Sequence, residues 1–157
     1  MNNNYYNNYS NIYAYAKILG SSKYPDIHGI ITFTQVKNGI LVECEVYNLP
    51  YEKCSNEIYG FHIHEGNSCT GNDTDPFADA KMHYNDGECI EHPYHTGDMP
   101  PLFGNNGYAY MSFFTNKFTI SQIIGKTVII HSSVDDFVSQ PSGNSKEKIA
   151  CGIIVYR

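Results

Sequence analysis

Alternation of apolar and polar residues is the feature that most limits what this chain can fold into. In "GIITFTQVKNGILVECEV", Ile31 and Phe33 share one parity while Thr32 and Thr34 share the other, and then Val42, Cys44 and Val46 alternate with Glu43 and Glu45. A period of two belongs to a strand with one face in a core and the other in water. Between the two runs stands Asn38-Gly39, a pair favoured at tight hairpin turns. Segments 12–19, 29–37, 40–49, 59–65, 108–115, 127–131 and 149–156 read as strands, and 101–104 adds a short eighth. No window carries the period of an amphipathic helix. The expected fold is all-β, an eight-stranded Greek-key β-barrel or sandwich of the immunoglobulin-like kind. Parity also assigns single residues: His28 is expected in solvent, and Cys44 in the core rather than on a metal.

A length of 157 residues supports one hydrophobic core. The expected organisation is an Asn- and Tyr-rich tail over 1–11, from which we read no function, and a single domain over 12–157. A formal charge of -6, with ten Lys and Arg that form no basic stripe, argues against a nucleic-acid partner. No apolar run approaches the length that spans a bilayer, so no membrane partner is expected. The amino terminus lacks the pattern of a secretory signal, which makes cytoplasmic residence the default and leaves a surface or extracellular location open. Five cysteines without a CxxC pair do not suit a thiolate zinc finger, and they allow at most two disulfides.

In "GFHIHEG", the inward parity of Phe61 and Ile63 places His62 and His64 together on the outer face, close enough to converge on one atom. Idle exposed histidines would give the same pattern, so a metal reading needs something to cover them. The expected cover is residues 66–107, about forty residues without periodicity, far longer than a compact domain tolerates without an organiser. Within it, "HYNDGECIEHPYHTGD" gathers His83, His92, His95 and Asp98. Three nitrogens and a carboxylate suit a closed zinc site, and metal binding would offset the entropy of ordering the loop. The run "TVIIHSS" ends a strand at His131, a candidate to join His62 and His64 in an all-imidazole set of the kind that favours copper.

These motifs resemble the copper/zinc superoxide dismutase family, in particular its bacterial type. "GFHIHEG", the loop ending in "HTGD", "GKTVIIH" followed by "DD", and "ACGII" occur in the family's order across residues 12–157. The resemblance implies a barrel with long metal-binding and electrostatic loops. It implies copper on His62, His64, His83 and His131, zinc on His83, His92, His95 and Asp98, and His83 as the bridge between them. Asp135 would link a copper histidine to a zinc histidine, fixing both rings. Cys69 and Cys151 would form a disulfide across 82 positions, constraining the unfolded chain by roughly 4 kcal/mol.

The implied reaction is disproportionation of superoxide to dioxygen and hydrogen peroxide by alternating copper states, with His83 carrying a proton. Lys148, in "KEKIACG", stands where the family usually places a guiding arginine; it keeps the charge but loses the planar fork of donors, and Glu147 would partly cancel it. The alternatives are a catalytically weak metal-binding protein and an inert structural one. A homodimer and a monomer are both compatible with the sequence.

Overall fold

The alternation at 29–47 is realised as a hairpin whose inward side chains complement a third strand in size. Residues 13–157 are described by a computed structural model; the 1–11 tail and the first residue of the strand expected at 12–19 lie outside them. The first three strands are β1 (Tyr13–Gly20), β2 (His28–Val36) and β3 (Gly39–Tyr47). Ala14 lies opposite Phe33 and Ala16 opposite Ile31, while Phe33 and Ile31 meet Val42 and Cys44 on the other side. All six are fully buried. Small residues facing large ones let the layers interdigitate, and each large apolar side chain so buried contributes about 1.5–3 kcal/mol. Cys44 is core, as expected, and burial pushes its thiol up to about 12, so it is inert. His28 is exposed, also as expected, and stacks on Tyr47 at 5.2 Å.

The hairpin turn sits one residue earlier than the sequence suggests. Val36 already pairs with Gly39, leaving Lys37 and Asn38 as the turn, and Asn38 takes the left-handed conformation at φ 69. Gly39 is needed for a different reason: a β-carbon there would overlap the Thr115 carbonyl oxygen of the neighbouring strand.

The remaining strands are β4 (Ile58–Tyr59), β5 (Phe61–His64), β6 (Leu102–Asn105), β7 (Tyr108–Thr115), β8 (Thr127–His131) and β9 (Lys148–Tyr156). One antiparallel sheet runs in the order β4-β6-β7-β3-β2-β1-β9-β8-β5. Its two end strands are separated in sequence only by Gly60, so the sheet nearly closes into a barrel through one short segment and hides its edges. The strand expected at 59–65 is thereby split, which makes the count nine rather than eight among the described residues. At Gly60 the backbone changes partners, donating to Ser133 O at 2.7 Å and accepting from His131 N at 2.8 Å. A β-carbon there would stand 2.7 Å from Ser145 Cβ. No helix of the described residues is long and apolar enough to cross a membrane.

Candidate metal centre

Strand β5 carries His62 and His64, and the segment after it folds back to cover them. Glu65 N donates to Met82 O at 2.9 Å and Tyr84 N to Ile63 O at 2.8 Å, which lays residues 82–84 alongside β5 and sets His83 opposite His64. A second layer follows, with Ile63 N donating to Gly97 O at 2.9 Å and Gly97 N to Tyr84 O at 2.8 Å. A β-carbon at Gly97 would overlap the Ile63 carbonyl oxygen, so only glycine permits this stacking. His131 arrives from the end of β8, where the pairing with β9 shifts register. The expected cover is therefore present: His62, His64, His83 and His131 are all nearly or wholly buried.

One ligand atom from each of these four histidines lies within 4.8 Å of the others. His83, His92, His95 and Asp98 form a second such group, so His83 belongs to both. The hydrogen bonds decide which nitrogens face inward. His64 Nδ1 lies 2.8 Å from Lys81 O and His131 Nδ1 lies 3.2 Å from Lys146 O. A carbonyl only accepts, so each Nδ1 carries the proton and each Nε2 presents a lone pair. Those two Nε2 atoms are 3.4 Å apart. Two lone pairs facing each other in a buried space need a proton or a cation between them.

His95 and His92 repeat the pattern. His95 Nε2 donates to Ile90 O at 3.0 Å, leaving Nδ1 aimed at Asp98 Oδ2, 3.1 Å away. His92 Nε2 meets Asp135 Oδ1 at 2.7 Å, leaving Nδ1 at 3.2 Å from the same Asp98 oxygen. His62 Nε2 meets Asp135 Oδ2 at 2.7 Å. The buried polar atoms without a hydrogen-bond partner include His62 Nδ1, His83 Nε2, His92 Nδ1 and His95 Nδ1, all of them ring nitrogens of these two groups. Buried polar atoms left unpaired in such number call for a ligand, and the donor types fit an all-imidazole cation site beside a mixed nitrogen and oxygen one.

The electrostatics agree. Burial, reinforced by neighbouring imidazoles, holds His62 and His64 well below the ordinary histidine value, and burial brings His131 down to about 4. Burial pushes the Asp98 carboxyl up, but its hydrogen bond to His83 and the surrounding imidazoles outweigh this and hold it below the usual carboxylate range. Neutral His62, His64 and His131 and an ionised Asp98 are the protonation states a divalent cation takes.

Several supporting residues carry no sequence signal. The side-chain amide of Gln140 accepts from His92 N and donates to His92 O, both at 2.8 Å, clamping that backbone as another strand would. Lys117 Nζ donates to the carbonyls of Pro93, His95 and Asp98 at 3.3, 3.1 and 3.2 Å. The carbonyls of Lys81, Ile90 and Lys146 are invisible to side-chain patterns altogether.

Lys148 lies opposite His131 in the β8–β9 ladder. Its ammonium is paired with Asp75 at 2.7 Å, a partner absent from the sequence reading. Glu147, expected to offset Lys148, instead pairs with Lys23 at 2.8 Å. Cys69 and Cys151 form a disulfide, which packs with Phe77, Ala80 and Ile129 and ties the covering loop to β9. Cys54 and Cys89 are exposed free thiols.

The family model described as copper/zinc superoxide dismutase (SODC) matches residues 27–154. The chain is 32% identical to superoxide dismutase [Cu-Zn] of Legionella pneumophila, over 88% of this chain and 85% of that one. It is also 32% identical to superoxide dismutase [Cu-Zn] 1 of Aquifex aeolicus, over 76% of this chain and 75% of the relative. A crystal structure of a double mutant of a SOD-like protein from Bacillus subtilis superposes with a TM-score of 0.76 at 25% identity, covering 90% of this chain and 96% of the other. With the family model spanning most of the barrel and both histidine groups, the chain belongs to the copper/zinc superoxide dismutase family.

Proposed function

We propose that the paired centre disproportionates superoxide, with copper held by His62, His64, His83 and His131 and zinc by His83, His92, His95 and Asp98. The observation that carries this reading is the inward set of ring nitrogens: in the five histidines other than His83 the second ring nitrogen is committed to a carbonyl or to Asp135, and His83 alone belongs to both groups. Bound copper would supply one-electron exchange, oxidising one superoxide to dioxygen and reducing a second, which takes up two protons to leave as hydrogen peroxide.

The protein's own residues set the conditions for that exchange. Asp135 accepts from His62 and His92 and so fixes both tautomers from one carboxylate. The Lys81 and Lys146 carbonyls orient His64 and His131 in the same way. His83 Nε2, without a hydrogen-bond partner, is the atom suited to hold a proton and release it towards the product, while His83 Nδ1 stays turned to Asp98 at 2.7 Å. Lys148 stands beside His131 as the nearest cation of the β8–β9 ladder, and its charge is balanced by Asp75. That balance favours a second reading, a metal-holding protein of low turnover, since a neutral pair attracts an anion less than a lone ammonium does.

Reconstitution with copper and zinc, followed by an assay of superoxide loss, tests the proposal. The parent protein is expected to be active, and His62→Ala and His131→Ala to lose copper and activity together. Uptake of both metals without turnover would support the second reading, and uptake of neither would overturn both.

A further inference from the structure

We infer that Asp75 sets how strongly the mouth of the copper centre attracts anions by neutralising Lys148. The inference rests on the reading of the site given above. Register puts Lys148 opposite His131, one member of the four-histidine group, at the end of the β8–β9 ladder. Nζ donates to Asp75 Oδ2 at 2.7 Å and to Phe77 O at 3.1 Å, which commits two of its three protons. The lysine side chain is only 14% exposed, against 38% for Asp75, so the pair is shielded on the cationic side and is stronger than one free in water.

Asp75 is itself held in place. Its Oδ1 accepts from Phe77 N at 3.0 Å, and Asn72 Oδ1 accepts from the backbone N–H groups of Thr74 and Asp75 at 3.0 Å each. The loop carrying it is fastened to β9 by the Cys69–Cys151 disulfide, three residues from Lys148. The carboxylate is thus aimed at the ammonium by its own turn rather than meeting it by chance.

A crevice of about 440 Å³ lies at this point, lined by Thr74, Asp75, Pro76, Lys146, Glu147 and Lys148. Its charges sort into pairs. Glu147 is matched by Lys23 at 2.8 Å and Lys148 by Asp75, while Lys146 forms no ion pair among the described residues. Removing the Asp75 charge therefore raises the net charge of this crevice by one, adding an unbalanced Lys148 to the unpaired Lys146. One unit charge about 3–6 Å from the anion, screened as in bulk water, changes anion affinity by about threefold to tenfold.

The test compares the parent with Asp75→Asn, which keeps the size of the side chain and an acceptor for Phe77 N. Both are loaded with copper and zinc, metal content is measured, and azide, an unreactive monoanion, is titrated while the visible copper spectrum is followed. Asp75→Asn is expected to bind azide about threefold to tenfold more tightly at low salt, with the gain lost in 1 M salt, where screening extends only about 3 Å. Asp75→Glu, which retains the charge, is expected to stay near the parent, and Asp75→Ala to follow Asp75→Asn. Equal copper loading with equal azide affinity in the parent, Asp75→Asn and Asp75→Ala would overturn the inference alone. A parent that takes up no copper would overturn it together with the reading of the site.

Discussion

Gly143 lies so close to Asp135 that a β-carbon on it would overlap the carboxylate oxygen Oδ1 and stand 2.7 Å from His92 Nε2. Its backbone is also left-handed, at φ 66. One glycine in the loop before β9 thus makes room for the carboxylate that joins the two histidine groups. Gly143→Ala is expected to destabilise the protein by about 2–4 kcal/mol, from the strained backbone and the displaced Asp135. Denaturant unfolding of the metal-free variant measures this directly. A change under 0.5 kcal/mol would show that the loop moves aside freely.

Asp135→Asn tests the carboxylate itself. Both oxygens accept, one from His62 and one from His92, each at 2.7 Å. An amide offers one acceptor and one donor, so one imidazole must turn or lose its partner. Metal affinity is expected to fall about 10-fold to 100-fold. Competition with a chromophoric chelator checks it, and unchanged affinity would make Asp135 an ordinary loop residue.

The metal-free protein is expected to lose stability in acid within a defined window. Burial holds His131 at about 4 in the folded chain, against an ordinary value of 6.5 when unfolded, so the unfolded state binds the extra proton first. Stability is therefore full above pH 6.5, falls as the pH drops towards 4, and gains no further loss from this group below that. For His131 alone the change is on the order of 3 kcal/mol. His62 and His64, lowered for the same first cause, act in the same direction. Thermal melts between pH 8 and 4 measure the effect; a flat profile would mean that the rings are not buried as neutral imidazoles.

Much of this architecture was legible in the chain because strands write their own pattern. The parity of Ile31, Phe33, Val42 and Cys44 follows from a period of two, and that parity alone separates core from solvent. His62 and His64 could be placed side by side for the same reason. Their burial could not, because it depends on residues 82–84 folding back along β5, a contact whose only trace is a glycine at position 97. The split at Gly60 was likewise hidden, since "YGFHIH" reads as one strand until its hydrogen-bond partners are known.

The order of side chains therefore fixed which atoms were available: seven histidines, a carboxylate near the end of the long loop, and a lysine before the last cysteine. Tertiary structure decided how those atoms are used. Which nitrogen of His64, His95 and His131 keeps its proton depends on the carbonyls of Lys81, Ile90 and Lys146, and the ion pair that balances Lys148 depends on Asp75, 73 positions away. Backbone carbonyls are the same in every residue and distant ion pairs have no local period, so neither leaves a mark that a pattern of side chains can carry.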